Sequence, residues 1–173
     1  MRKVTMLIII TLSLPAVVWS QNNPASDSEL NSDQKAVMAV IIELFEGYRS
    51  GDSARVSALF TKNAQMQRIT LHNGETTVTP SKSVQDWLNY IGSGLEQKHD
   101  EPIWNYTVNI DKGLASVWTA YAFYLDGTFH HCGVDAFLLV NMHDVWKIFH
   151  IVDTSRKEDC EVPDAIHQKS SRE

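Results

Sequence analysis

The chain has 173 residues, a formal net charge of −6 and 43% hydrophobic residues. That length suits one domain with one core. An acidic balance with no Lys/Arg cluster argues against nucleic acid or an anionic membrane surface as a partner.

The first twenty residues read as an address. Arg2 and Lys3 precede a short apolar run, Met6 to Leu14, and Val18 and Ser20 occupy small-residue positions before a plausible cut ahead of Gln21. Pro15 interrupts the run, which is too short to span a bilayer. The expectation is a signal peptide over 1–20 and a secreted or periplasmic mature protein that is free of the membrane. Losing two cations with the peptide brings the mature charge to about −8 (−6 − 2). Residues 21–33, rich in Asn, Ser and Asp, read as a flexible leader.

The domain is expected over 34–160. Val37, Val40, Ile41, Leu44, Phe45 and Tyr48 mark one face of a helix, with Ser32 as its candidate cap. A short helix follows Asp52. Gln65 to Leu71 reads as a strand, and Pro80 marks a break. Ser81 or Ser83 caps a third helix carrying Val84, Trp87, Leu88 and Ile91. Beyond Gly94 the period changes to two. Strands are expected over 103–110, 114–125, 128–140 and 145–153, the middle pair joined by the hairpin turn Asp126-Gly127. Helices first and an antiparallel meander last is an α+β layout. The tail 161–173 lacks an apolar period and reads as polar.

Tyr48-Arg-Ser-Gly-Asp52, then Leu59-Phe60 and Ala64, resembles the first two helices of the nuclear-transport-factor-2-like superfamily. Asp144-Val-Trp-Lys-Ile148 resembles the Gly-x-Trp-Lys-Ile closing strand of its SnoaL-like members, with Asp144 in place of the glycine. The resemblance spans about residues 34–154. It implies three N-terminal helices packed in the concavity of a strongly curved, mainly antiparallel sheet, the cystatin-like/SnoaL-like cone. The superfamily includes ketosteroid isomerase, polyketide cyclases, dehydratases and binding domains without catalysis, so the scaffold leaves the activity open.

Extrapolating the hairpins from their turns places Asp135 opposite Trp118 and His150, on a concave face shared with Tyr124, His131 and Phe137. On that register Asp135 and His150 form an acid/base pair, or a buried polar pair that only fixes the strands. Trp118, Tyr124, His131, Trp104 and Trp87 are candidate pocket residues, with plain core packing as the alternative. His130-His131-Cys132 alternates faces and does not supply a zinc ligand set. No cofactor fingerprint or nucleophile motif is present. An oxidising compartment permits a Cys132–Cys160 disulfide, two unlinked thiols being the alternative. The opposite sheet face is apolar, which suggests a homodimer, unless the leader or tail covers it.

These expectations describe an exported pocket protein that holds a small apolar or aromatic molecule. The alternative is an isomerase-, cyclase- or dehydratase-type enzyme using Asp135 and His150.

Overall fold

A computed structural model describes residues 30–72 and 74–170; the expected signal peptide and the leader up to residue 29 lie outside them. Helix α1 (Ser32–Arg49) is capped by Asn31, not by Ser32. Asn31 Oδ1 accepts from the Gln34 N–H at 2.9 Å, and the Gln34 side chain accepts from the Asn31 N–H at 3.1 Å. This reciprocal box satisfies two orphan donors of the first turn. Helix α2 (Ser53–Ser57) is capped by Asp52, and α3 (Gln85–Gly92) begins after Val84, with Ser83 Oγ accepting from the Gln85 N–H at 3.2 Å.

Eight strands form one sheet: β1 (Phe60–His72), β2 (Glu75–Val78), β3 (Lys82–Ser83), β4 (His99–Asp100), β5 (Ile103–Asp111), β6 (Leu114–Leu125), β7 (Thr128–Met142) and β8 (Val145–Ser155). The order is β2-β1-β8-β7-β6-β4, with β3 also on β1 and β5 also on β6. The sheet is antiparallel except where β1 lies parallel to β8. Val37, Ile41, Leu44, Phe45 and Tyr48 of α1 pack with Val117, Phe123, Phe137, Leu139, Ile148 and Ile151 of the sheet to make the core. Gln34 Nε2 donates to the Val108 carbonyl at 2.9 Å and ties α1 to β5. The α+β cone expected from the sequence is therefore present.

The register is not the one extrapolated from the turns, because the meander carries three bulges. Leu125–Thr128 and Tyr124–Phe129 pair as expected, but Phe123 pairs with His131, leaving His130 as the extra residue. Leu139 pairs with Ile148 and Leu138 with His150, so Phe149 is extra in β8. The β5–β6 pairing slips between Trp104 and Thr107, where Asn105 takes a left-handed φ of 51°. Each slip exchanges the two faces of the sheet for every residue beyond it.

The ends also differ from expectation. Leu30, placed by sequence in the flexible leader, is buried in the core. The tail contains a helix, α4 (Asp164–Ser170). Cys132 and Cys160 are bonded, with Cα atoms 5.9 Å apart. Beyond that bond α4 docks through Ser170 Oγ, which donates to Asp100 Oδ2 at 2.7 Å, and through His167 Nδ1, 2.8 Å from the Tyr124 hydroxyl.

Candidate functional site

Between the helices and the concave face lies a cavity of about 260 Å³. Its walls are aromatic: Phe45 and Tyr48 from α1, Trp87 and Tyr90 from α3, Phe123 from β6 and Phe137 from β7. Tyr48 stacks on Phe123, with ring centroids 6.3 Å apart, and meets Trp87 at 5.2 Å.

One transverse row of the sheet supplies the polar floor. The backbone register runs Arg68 (β1), Asp153 (β8), Asp135 (β7), Thr119 (β6), each the direct partner of the next. Directly opposed residues share a face, so three chemistry-bearing groups stand side by side. Arg68 commits both its Nε, at 2.7 Å, and its Nη2 to the single oxygen Oδ2 of Asp153. Asp135 is 5% exposed, and its Oδ2 has no hydrogen-bond partner. Glu101, between β4 and β5, brings a third carboxyl to the cavity.

Burial, followed by the neighbouring Asp153 charge, pushes the Glu101 carboxyl up to about 8. Burial, then Glu101 and Asp153, pushes Asp135 well above the ordinary carboxylate range. His131 also lines the cavity. Burial, then Arg68 and His130, lowers its imidazole to about 4, so it is neutral at pH 7. Behind Tyr48 sits buried His99, with Nδ1 2.8 Å from the Tyr48 hydroxyl and Nε2 3.3 Å from that of Tyr90. Burial lowers the His99 imidazole as well.

These shifts oppose one another in acid and act alone above it. Glu101 and Asp135 bind protons more tightly folded than unfolded, so they withdraw stability as pH rises above the ordinary carboxyl range, Glu101 until about 8. His131 and His99 bind them less tightly and add stability as pH rises to their ordinary value of 6.5. Between pH 6.5 and 8 only the carboxyls remain. Stability measured by urea unfolding is expected to fall across that window, and Glu101→Gln is expected to flatten the fall. A rise with pH in the unsubstituted protein would contradict this assignment.

The structure divides the residues singled out in the sequence. Asp135, His131 and Trp87 line the cavity. Trp118 does not: the His130 bulge turns it to the outer face, where it is 57% exposed, and Thr119 takes its place opposite Asp135. His150 does not meet Asp135, because the Phe149 bulge pairs it with Leu138, on the outer side. Its Nε2 is buried there without a partner. Trp104 pairs with Ala120 and lines a smaller pocket on that same outer side. Tyr124 lies before the bulge and packs on Phe129 and His167 of the tail.

Glu101, Arg68, Asp153, Tyr48 and Tyr90 were not singled out for the pocket. Arg68 carried a signal: Ala64, Met66 and Arg68 alternate, which places one cation on an otherwise inward face. Glu101 carried none, since it stands outside any period, before Pro102.

Among solved structures the chain is similar to a protein of unknown function with a cystatin-like fold from Nostoc punctiforme, at 10% identity, with a TM-score of 0.59 over 75% of this chain and 96% of that one. It is similar to an NTF2-like protein of unknown function from Shewanella baltica, at 14% identity, with a TM-score of 0.52 over 75% and 100%. It is also similar to a structure titled "Putative Scytalone Dehydratase" from Novosphingobium aromaticivorans, at 11% identity, with a TM-score of 0.56 over 76% and 89%. At these identities the likeness is one of fold. No curated protein matches the sequence. A family profile does match, over residues 32–152, from the first turn of α1 to within three residues of the end of β8. The chain belongs to the family described as "Putative lumazine-binding".

Proposed function

We propose that the protein binds a small, flat, mostly apolar or aromatic molecule inside the cone. The carrying observation is the buried, unpartnered Oδ2 of Asp135 on the floor of an aromatic-walled cavity. A polar atom left unpaired in an apolar site costs about 1–3 kcal/mol, and a ligand that supplies its partner recovers that cost. A few polar groups among apolar walls is the usual composition of a small-molecule site. The family's lumazine-binding description agrees with a planar ligand.

A second reading, proton transfer of the dehydratase or isomerase type, is favoured by one observation. Glu101, pushed up to about 8, stands with Asp135, whose carboxyl burial also holds well above the ordinary range. Two neighbouring carboxyls with raised proton affinity can divide the roles of base and hydrogen-bond donor. In that reading Glu101 replaces His150 as the partner of Asp135.

Titration with 2-naphthol, followed by methyl NMR, tests both readings. The methyls of Met66 and Ile151, which line the cavity, are expected to shift, while the exposed methyls of Val78 and Val145 do not. Shifts confined to the outer face would overturn the pocket. Exchange of the α-hydrogens of 2-tetralone in D2O, abolished by Glu101→Gln, would move the assignment from binder to enzyme.

Export is supported by the Cys132–Cys160 bond, which persists in oxidising compartments. Among the described residues no helix is long and apolar enough to cross a membrane. Self-association through the outer face is supported by Trp118, which the tail helix leaves exposed beside Ala136 and Leu138.

A further inference from the structure

We propose that the cavity selects an organic cation, a ring-bearing molecule with a protonated amine or amidine whose N–H groups donate to Asp135 and Glu101. This rests on the pocket reading and names the chemistry of its ligand.

Three carboxyls line the cavity, Glu101, Asp135 and Asp153, and among the described lining residues Arg68 is the one cation. Arg68 is already committed, because its Nε and Nη2 both donate to Asp153 Oδ2. The register places Asp135 on the far side of Asp153 from Arg68, so the guanidinium bonds to the outer member of the row and reaches the inner one only through space. Asp100 adds a further negative charge near Glu101, but its own carboxylate is taken by Arg49 Nε at 2.7 Å and by Ser170.

Among the described lining residues no other element contributes a positive charge. His131 from β7 is kept neutral, and α1 and α3 present only phenols, an indole and apolar groups. Two carboxyls thus face a cavity whose one cation is bonded to Asp153 and reaches them only as a weaker through-space charge, and protons make up the balance. A cationic ligand would displace those protons and bring a positive charge to both carboxyls.

The walls agree with this choice. Six aromatic rings enclose the space, from Phe45, Tyr48, Trp87, Tyr90, Phe123 and Phe137. A ring face is negative and attracts a cation, more strongly when water is excluded. An anionic ligand would meet the carboxyls and the ring faces with the wrong sign.

Benzamidine, benzamide and benzoate share one ring and differ in charge. Calorimetric titration of the full folded chain with each at pH 7 is the test. Benzamidine is expected to bind about tenfold tighter than benzamide, as a charge-assisted hydrogen bond implies, and benzoate not at all. Benzamidine binding is expected to release protons, read as a heat that varies with the ionisation enthalpy of the buffer, and to tighten from pH 6 to pH 8. Asp135→Asn is expected to reduce benzamidine to the level of benzamide while benzamide still binds, which shows that the variant cavity is intact. Glu101→Gln serves the same purpose if the first variant does not fold.

Equal affinity for benzamidine and benzamide, or tighter binding of benzoate, would overturn the cation while leaving the pocket. No binding of any of the three would remove both readings.

Discussion

Gly133→Ala is expected to cost about 3 kcal/mol or more and to lower the melting temperature by roughly 10 °C. A Cβ built on Gly133 falls 1.9 Å from the Thr154 carbonyl oxygen and 2.7 Å from Cε1 of Tyr121. The first neighbour is backbone of the adjacent strand and cannot swing away. The second is held in place: the Tyr121 ring leaves β6, passes over Gly133 in β7 and donates its hydroxyl to the Thr154 carbonyl in β8 at 2.8 Å. The bare glycine is the gap through which one side chain staples three strands. A methyl group there must push strands apart or break that bond, which is itself worth about 1 kcal/mol. Tyr121→Phe would remove the bond and keep the gap, at about that smaller cost. Circular dichroism melts of the two variants check the ranking, and a Gly133→Ala protein as stable as the parent would show that the strands are not held this closely.

Removing the disulfide is expected to have a comparable effect. The bond joins residues 28 apart. In the chain-entropy account a loop of that length is worth about 3–4 kcal/mol. The double variant Cys132→Ala/Cys160→Ala should lose that amount in urea unfolding, and the parent should lose it on reduction while the variant does not respond. The loss should also be local. Helix α4 is held otherwise by side-chain contacts that include Ser170 to Asp100 and His167 to Tyr124 and Phe129, so hydrogen exchange in 164–170 should accelerate before exchange in the sheet. Uniform acceleration would mean that the tail helix is integral to the core.

The scaffold was legible because its signals are local. The 3.6-residue period of α1, the Asp126-Gly127 turn and the alternation from 103 onward each depend on neighbours in the chain. The site was less legible because it depends on how strands are aligned far from their turns. Extrapolation from Leu125–Thr128 is right for two pairs and then fails at His130. One extra residue there is enough to exchange Trp118 for Thr119 opposite Asp135. A second, Phe149, removes His150 from the pair. Neither bulge has a glycine or proline to announce it. Asp135 kept its inward place because the strand that carries it is intact on both sides of that position. What changed was its company: Asp153 and Arg68 in place of His150.

The parallel contact between β1 and β8 carries a consequence for how the molecule is made. Arg68 and Asp153 are 85 positions apart, and β8 must slot between β1 and β7 before the floor of the cavity exists. A chain delivered with its N-terminus first, from a ribosome or through a translocation pore, presents α1 and β1 long before their central neighbour arrives. Until then β1 has an open edge and the guanidinium has no mate. Assembly therefore waits for the last strand, and a nascent chain halted before residue 145 would hold its opening helices without any chamber to serve.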